Sequence, residues 1–535
     1  MKRRSSVKER EFHLCREPWI CVMQKDFHVK KVNLEEALLQ SEKYRGLAGE
    51  TESQNIAILR LLLAVLHIVF CRQNEKGEQE SIDSKKEARR RWEAIWKMGT
   101  FPEQPIKDYF SKWENRFWLF DSEYPFYQVP GITGTNNPAK KMNGELVESN
   151  NKIQLFSMRS GRKKDELNYD EAARWLVYLQ AFDDTAAKKP SPKLCLVGSI
   201  GVVVAKGNSL FETLMLNLTL LKDGMELWGA PKPSWEREKP SEEKLKEVPV
   251  PDNQPEILTL QCRRLILHRE NGIVTGYTEA AGEYIEKESA YSEQMTFWTI
   301  RKKGKTVEQY YPKMHDKSRQ MWRDFSVLLG NSGRKPGVVS WVSLLQSKGI
   351  FPKDRFVTFK IVGVEYGSMT CGIVDEFSDS LEFHASLLDE VGVVWQRKIS
   401  DEIARCDQLA SAVGCLGQNL DKAVGGDGKS AKENAKEQAY YRLDIPFRQW
   451  LLQVEPNQNL EKQNEYRANW RKISKDIIKN FGRELVEQAG SAAVVGRVVK
   501  EKIKNKDVEK HYSAPEAFNY FLYQLAMIDK QGVRI

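Results

Sequence analysis

Histidine and cysteine are scarce and scattered in this 535-residue chain. The seven histidines, at 13, 28, 67, 268, 315, 384 and 511, form no HExxH, and no Cys/His group has zinc-finger spacing, so no metal site is expected. The eight cysteines, at 15, 21, 71, 195, 262, 371, 406 and 415, include no CxxC and read as reduced, mostly buried thiols of a cytosolic protein. GxSxG, a Walker pair, HD-type pairing and a cysteine-nucleophile context are all missing. Asp183 and Asp184 are adjacent, so their side chains diverge, and no histidine stands near them to complete an acid–base set. The stretch AVGGDGKS (423–430) resembles a phosphate loop, but Ala423 stands where that motif needs glycine and helical text precedes it; it reads as an interhelical turn. These absences argue for a chain that is not an enzyme and needs no cofactor. Long apolar runs are missing too. The most apolar segment, Ile56 to Phe70, carries Arg60 and His67 and reads as a buried core helix rather than a membrane span. The start, MKRRSSVKEREFHLC, is basic but leads into no apolar stretch, so no secretory signal is read and a cytoplasmic location is expected.

What is present is enough apolar material, 41% of residues, to fill two or three domain cores. Lysine and arginine number 83 against 74 acids, a net +9 that permits polyanion binding only where the basic residues cluster. A strand carrying Trp19, a second strand around Val29 to Val32 and a helix capped by Asn33 with Glu36 at its third position open the chain. Helices are expected over 55–70 and 169–182, and a turn and strand over 123–131. Surface loops are expected over 130–151 and 156–168, and 183–193 cannot continue a helix past Pro190. Residues 228–255, with six prolines, read as a connector, and apolar strands recur around 264–267, 273–277, 295–300 and 357–364. Beyond about 385 the text becomes helical, over 386–417, 432–454, 459–490 and 514–528. The fold class expected is α+β: a large mixed N-terminal domain, 1–385, followed by a C-terminal four-helix bundle, 386–535.

Two basic features stand out. Arg467, Arg471, Lys475 and Lys479 recur every four residues, on a different helix face from Trp470, Ile473, Ile477 and Phe481. No acid interrupts the stripe, and like charges at that spacing cost a few tenths of a kcal/mol per pair, roughly, which slightly favours a polyanion partner over an ordinary solvated face. A weaker stripe is read at Arg497, Lys500 and Lys504. The loop 156–168 carries Arg159, Arg162, Lys163 and Lys164, with Lys152 further back, beside Phe156 and Met158, apolar side chains able to intrude between bases. A solubilising surface loop is an equal reading of it.

Collinear segments then become recognisable: EPWICVMQKDFHVKKVNLEEALLQSEKYRGLAGETESQNIAILRLLLAVL (17–66), RFWLFDSEYPFYQ (116–128), EAARWLVYLQAFD (171–183), SLFETLMLNL (209–218), LQCRRLILHRENGIVTG (260–276), VGVEYGSMTCGIVDE (362–376) and YYRLDIPFRQWL (440–451). In this order they resemble CasA, the family of large subunits of the type I-E CRISPR surveillance complex Cascade. The resemblance implies an α+β N-terminal domain, a C-terminal four-helix bundle and no catalytic activity. It implies recognition of a protospacer-adjacent motif in double-stranded target DNA through the minor groove, strand separation and R-loop formation so that guide RNA can pair, and docking of a helicase-nuclease. The implied partners are that DNA, the guide-RNA complex with its backbone, small and guide-processing subunits, and the helicase-nuclease, with no membrane. The family's contact aromatic falls on Phe156. Its glycine-rich minor-groove loop falls on Ala186, Ala187, Lys188 and Lys189, where two alanines keep most of the close backbone approach and two lysines add charge. Its glutamine wedge falls on Met369 and Thr370, an apolar substitute adequate for unstacking a base step. The family's lysine finger belongs after Thr275 and Gly276, but YTEAAGE offers no lysine in register and none is assigned. The alternative reading is a protein-interaction scaffold whose basic stripe binds acidic partner subunits, with only minor DNA contact.

Overall fold

The computed structural model describes residues 10–144, 159–185, 193–240, 246–303, 307–330, 333–352, 354–368, 372–503 and 506–531. They form two compact units. Where the sequence suggests one cut after residue 385, the units interleave. The first takes the described residues up to Lys317 with Val327–Ile350 and Val357–Ser380, and the second takes Ser318–Ser326, Phe351–Phe356 and everything from Leu381.

The first unit begins as its sequence suggests. Ile20–Gln24 pairs antiparallel with both Val29–Val32 and Tyr44–Leu47. The side chain of Asn33 accepts from the amide of Glu36 at 2.7 Å and starts the helix Leu34–Leu39. Helix Glu52–Arg72, capped by Thr51, is the core of the unit. At 21 residues and mean hydropathy 2.0 it is long and apolar enough to cross a membrane, yet 89% of its most apolar window is buried inside the protein. Its Arg60 is buried with a two-pronged partner, Glu293, at 2.8 and 3.0 Å, as a buried cation requires.

Two small sheets complete the scaffold of interest. Thr135–Pro138, Ile273–Ala281 and Arg263–Glu270 form one, and Val202–Lys206, Phe356–Tyr366 and Ile373–His384 another. The strand expected within 123–131 is instead Trp118–Phe120, paired with Glu11–His13. Pro125 and Pro130 lack the amide a ladder needs, and Tyr127 and Gly131 have positive φ, so that segment turns.

The second unit contains the long helices Val393–Val424, Lys429–Leu452, Leu460–Gln488 and Ala514–Gln531. Trp470 stacks on Trp450 with centroids 5.5 Å apart and meets Phe447 edge-on at 5.4 Å, making an aromatic centre for the bundle. The GGDGKS stretch is the turn it was read to be. Asp421 accepts from the amides of Gly426 and Gly428, both at 2.9 Å, while Gly425 and Gly428 take positive φ. Between the third and fourth long helices the structure departs from the sequence reading. Arg497–Ile503 and Lys506–Tyr512 form a β-hairpin, favoured by the branched Val498, Val499 and Ile503. Residues three apart on a strand face opposite ways, so Arg497 and Lys500 do not form the weaker helical stripe, and Lys504 lies outside the described residues.

Candidate nucleic-acid interface

Seven expected site residues, Phe156, Ala186, Ala187, Lys188, Lys189, Met369 and Thr370, lie outside the described residues. The structure describes the chain that carries them. Helix Tyr169–Phe182 starts with Glu171 accepting from the amide of Asn168 at 2.9 Å and ends against Asp183, whose amide bonds Leu179. Gln180 is paired twice with the main chain of Arg263, donating to its carbonyl at 2.8 Å and accepting from its amide at 2.9 Å. This places the Arg263 guanidinium, wholly buried, at the helix end.

That one guanidinium holds both ends of segment 186–192. Its Nε donates to the Asp183 carboxylate, and a terminal nitrogen donates to the carbonyls of Asp183 (3.3 Å) and Asp184 (2.7 Å) on one side and of Lys193 (3.0 Å) on the other. Five in-plane donors in a rigid fork make arginine suited to such a clamp.

The same base holds the chain on either side of 369–371. The amide of Gly372 donates to the Asp184 carboxylate, and the amide of Gly367 to the carbonyl of Gly372 at 2.9 Å. The hydroxyl of Tyr366 donates to the carbonyl of Phe182 at 2.7 Å. Burial raises the Tyr366 pKa well above its ordinary value, so the hydroxyl stays a donor far into the alkaline range. A side chain at Gly198 would collide with that hydroxyl, so glycine there makes room for it. On the strands Phe356–Tyr366 and Ile373–His384, Lys317 bridges Glu365 at 2.7 Å and Asp375 at 2.9 Å. Two segments far apart in sequence thus leave one hydrogen-bonded platform.

The basic loop reaches the other end of the same helix. Arg159 donates to Glu171 at 2.8 Å. Residues Gly161–Lys164 form a single 3-10 turn in which Lys163 is exposed and Lys164 half-buried, while the side chain of Arg162 lies outside the description.

The stripe of the second unit is ion-paired to neighbouring helices. Arg467 meets Glu402 at 2.5 Å and Asp401 at 3.3 Å, Arg471 meets the same Glu402 oxygen at 2.7 Å, and Lys475 meets Asp529 at 2.5 Å. The acids missing from its own helix come from helices Val393–Val424 and Ala514–Gln531, which no spacing rule on one helix reveals. Glu402 is fully buried between the two arginines. Burial, the largest influence on Asp529, acts to raise its carboxyl, and the bonds from Lys475 and Arg405 outweigh it, leaving the pKa below the ordinary value. Lys479 carries no ion pair to a described residue.

Sequence reasoning missed Arg263, Tyr366, Gly198 and Gly372. The signal for Arg263 was available: an arginine pair opening an apolar strand, where burial is expected, asks for partners. Asp183 and Asp184 were noticed only as a failed catalytic pair, and their divergence is what lets one bind Arg263 while the other binds Gly372.

A mixed α+β unit followed by a unit of long helices is an architecture shared with solved chains. Cse1 of Thermobifida fusca superposes with a TM-score of 0.81 at 26% identity, over 97% of this chain and 98% of that one. A chain of a CRISPR RNA-guided surveillance complex shares the fold at TM-score 0.59 and 15% identity, over 90% of this chain and 99% of that one. CasA/Cse1 of Thermus thermophilus is 32% identical over 228 residues, 41% of this chain and 42% of that relative, so the alignment spans about two-fifths of the curated relative's length. The family model for CRISPR-associated protein Cse1 matches residues 13–480. The chain belongs to the Cse1 (CasA) family.

Proposed function

We propose that this chain is the large, non-catalytic subunit of a type I-E Cascade complex in the cytoplasm. In this reading it recognises the protospacer-adjacent motif in double-stranded DNA, promotes strand separation and R-loop formation, and docks the helicase-nuclease. The α+β region up to residue 385 carries motif recognition and docking to the guide-RNA complex, and the remainder is the bundle.

The observation that carries the reading is the shared base of segments 186–192 and 369–371. A reading loop and a wedge must act on neighbouring steps of one duplex, so their separation has to be held by rigid, buried bonds rather than left to two independent loops. Asp184, Gly372, Tyr366, Phe182 and Arg263 supply those bonds. Met369 and Thr370 then serve as the wedge, Ala186 and Ala187 keep the backbone close to the groove, and Lys188 and Lys189 answer its negative potential. Phe156, Arg159, Arg162, Lys163 and Lys164 approach the motif-proximal backbone. Arg467, Arg471 and Lys475 are already neutralised within their own unit, which lowers their weight in DNA contact and, equally, in the scaffold alternative.

The test is binding of the assembled, guide-loaded complex to a duplex library with a randomised motif, for the wild type, Met369→Ala and Lys188→Ala. The expected result is altered motif selection or weaker binding with assembly intact. Unchanged selection and affinity in both variants would remove the placement of the two loops. Loss of assembly without loss of DNA affinity in the assembled fraction would favour the scaffold.

A further inference from the structure

The first unit holds a second cationic feature that the motif reading does not use. A cleft lies between the turn after Trp118–Phe120 and the proline-rich connector, lined by Arg116, Tyr124, Trp235, Arg237, Gln261 and Arg264 among others, and no carboxylate is among its described lining residues. The Arg116 guanidinium lies 3.7 Å above the centre of the Tyr124 ring, and its Nε has no hydrogen-bond partner. Stacking uses the face of a guanidinium, whereas its edge carries the donors that match an oxyanion. Arg237 gives one terminal nitrogen to Glu283 at 2.6 Å, leaving most of its five donors unassigned among the described residues. Arg264 is only 7% exposed and donates from Nε to the carbonyl of Ala281 at 3.0 Å. Burial lowers its pKa, a desolvation that a nearby anion would offset.

We propose that this cleft is a binding site for a phosphoryl group, with Arg116 as its principal ligand and Arg237 and Arg264 completing the positive wall. The cavity measures about 50 Å³. One water needs about 10–15 Å³ by such a measure, so the space suits a compact anion of four oxygens. Arg116, Arg237 and Arg264 line one cleft and match a phosphate, whose several oxygens accept from more than one guanidinium. The phosphate belongs either to a nucleic-acid strand passing the cleft or to a free anion, and the test separates these sources.

The full chain is titrated with a short fluorescent single-stranded oligonucleotide and, separately, with inorganic phosphate, for the wild type, Arg116→Ala and Arg116→Gln. If a strand is the source, Arg116→Ala is expected to weaken oligonucleotide binding about 10-fold and reduce the slope of log affinity against log salt by about 1. If the free anion is the source, only phosphate affinity falls by that factor. Phosphate at constant ionic strength is also expected to raise the melting temperature of the wild type, a readout independent of any variant. Unchanged affinity for both ligands in a folded Arg116 variant, or no melting shift with phosphate, overturns the proposal, as does tighter binding of a polyglutamate peptide that is lost with Arg116.

Discussion

Tyr366 donates its hydroxyl to the carbonyl of Phe182 at 2.7 Å, across 184 residues of sequence. The bond joins the end of helix Tyr169–Phe182 to the end of strand Phe356–Tyr366, the two elements from which the proposed reading loop and wedge depart. Tyr366→Phe keeps the ring and removes the bond, so stability is expected to fall by about 1 kcal/mol. Gly198→Ala sets a methyl against the hydroxyl and is expected to cost about 1–3 kcal/mol as an overpacked site. Because the clash is with the oxygen itself, Gly198→Ala is expected to cost less in the Tyr366→Phe background. Denaturant titration of the four-member cycle measures this, and additive losses would show that the two positions act separately.

Arg263→Met should leave the buried Asp183 carboxylate without its cation and cost about 3–5 kcal/mol. Adding Asp183→Leu should recover much of that loss. Motif selection by the assembled complex should not recover with it, because the carbonyls on either side of 186–192 remain unclamped. Paired melting curves and library binding distinguish a positioning role from simple support of the fold.

Glu402 makes the corresponding case in the second unit. Removing both partners in Arg467→Ala/Arg471→Ala strands a fully buried carboxylate, with an expected cost of about 3–5 kcal/mol. Adding Glu402→Leu should return most of it. If the double variant instead melts like the wild type and loses only DNA affinity, the stripe is a contact surface after all.

His67 sits in the middle of helix Glu52–Arg72 with neither ring nitrogen partnered, and burial pulls its pKa down to about 3. The unfolded chain takes up this proton near pH 6.5, so between there and about 3 the unfolded state binds more protons. Stability from this group is complete above 6.5 and is lost as pH falls, by up to about 1.4 kcal/mol per unit. His67→Leu is expected to flatten the acid limb of a stability profile measured by denaturant titration at stepped pH. A profile parallel to the wild type would mean that the imidazole does not govern that limb.

Local structure was largely legible in the sequence, because caps and periodicity act within a few residues. Asn33 with Glu36 and the glycine turn at 425–428 each function as their spacing suggests. Pairing across the fold was not legible. Arg467, Arg471 and Lys475 form a bare basic stripe on their own helix, and their acids stand at 401, 402 and 529. The hairpin from Arg497 to Tyr512 escaped because an i, i+3 spacing of basic residues was given helical meaning over a branched, strand-favouring text. At the candidate interface, the resemblance only proposes where a reading loop and wedge fall, whereas the bonds on either side of those segments come from residues distant in sequence.

The clamp at Arg263 also bears on how such a chain can change. Its contacts to 183, 184 and 193 are to main-chain carbonyls, with one carboxylate added, so the ends of segment 186–192 are held almost without regard to which side chains lie between them. The segment is therefore an exchangeable cartridge in a fixed socket. Substitutions and modest changes of length between residues 186 and 192 can be sampled by mutation without unsettling the core. On the proposed function, a lineage meeting new invaders would alter its DNA preference there while leaving the rest of the subunit untouched.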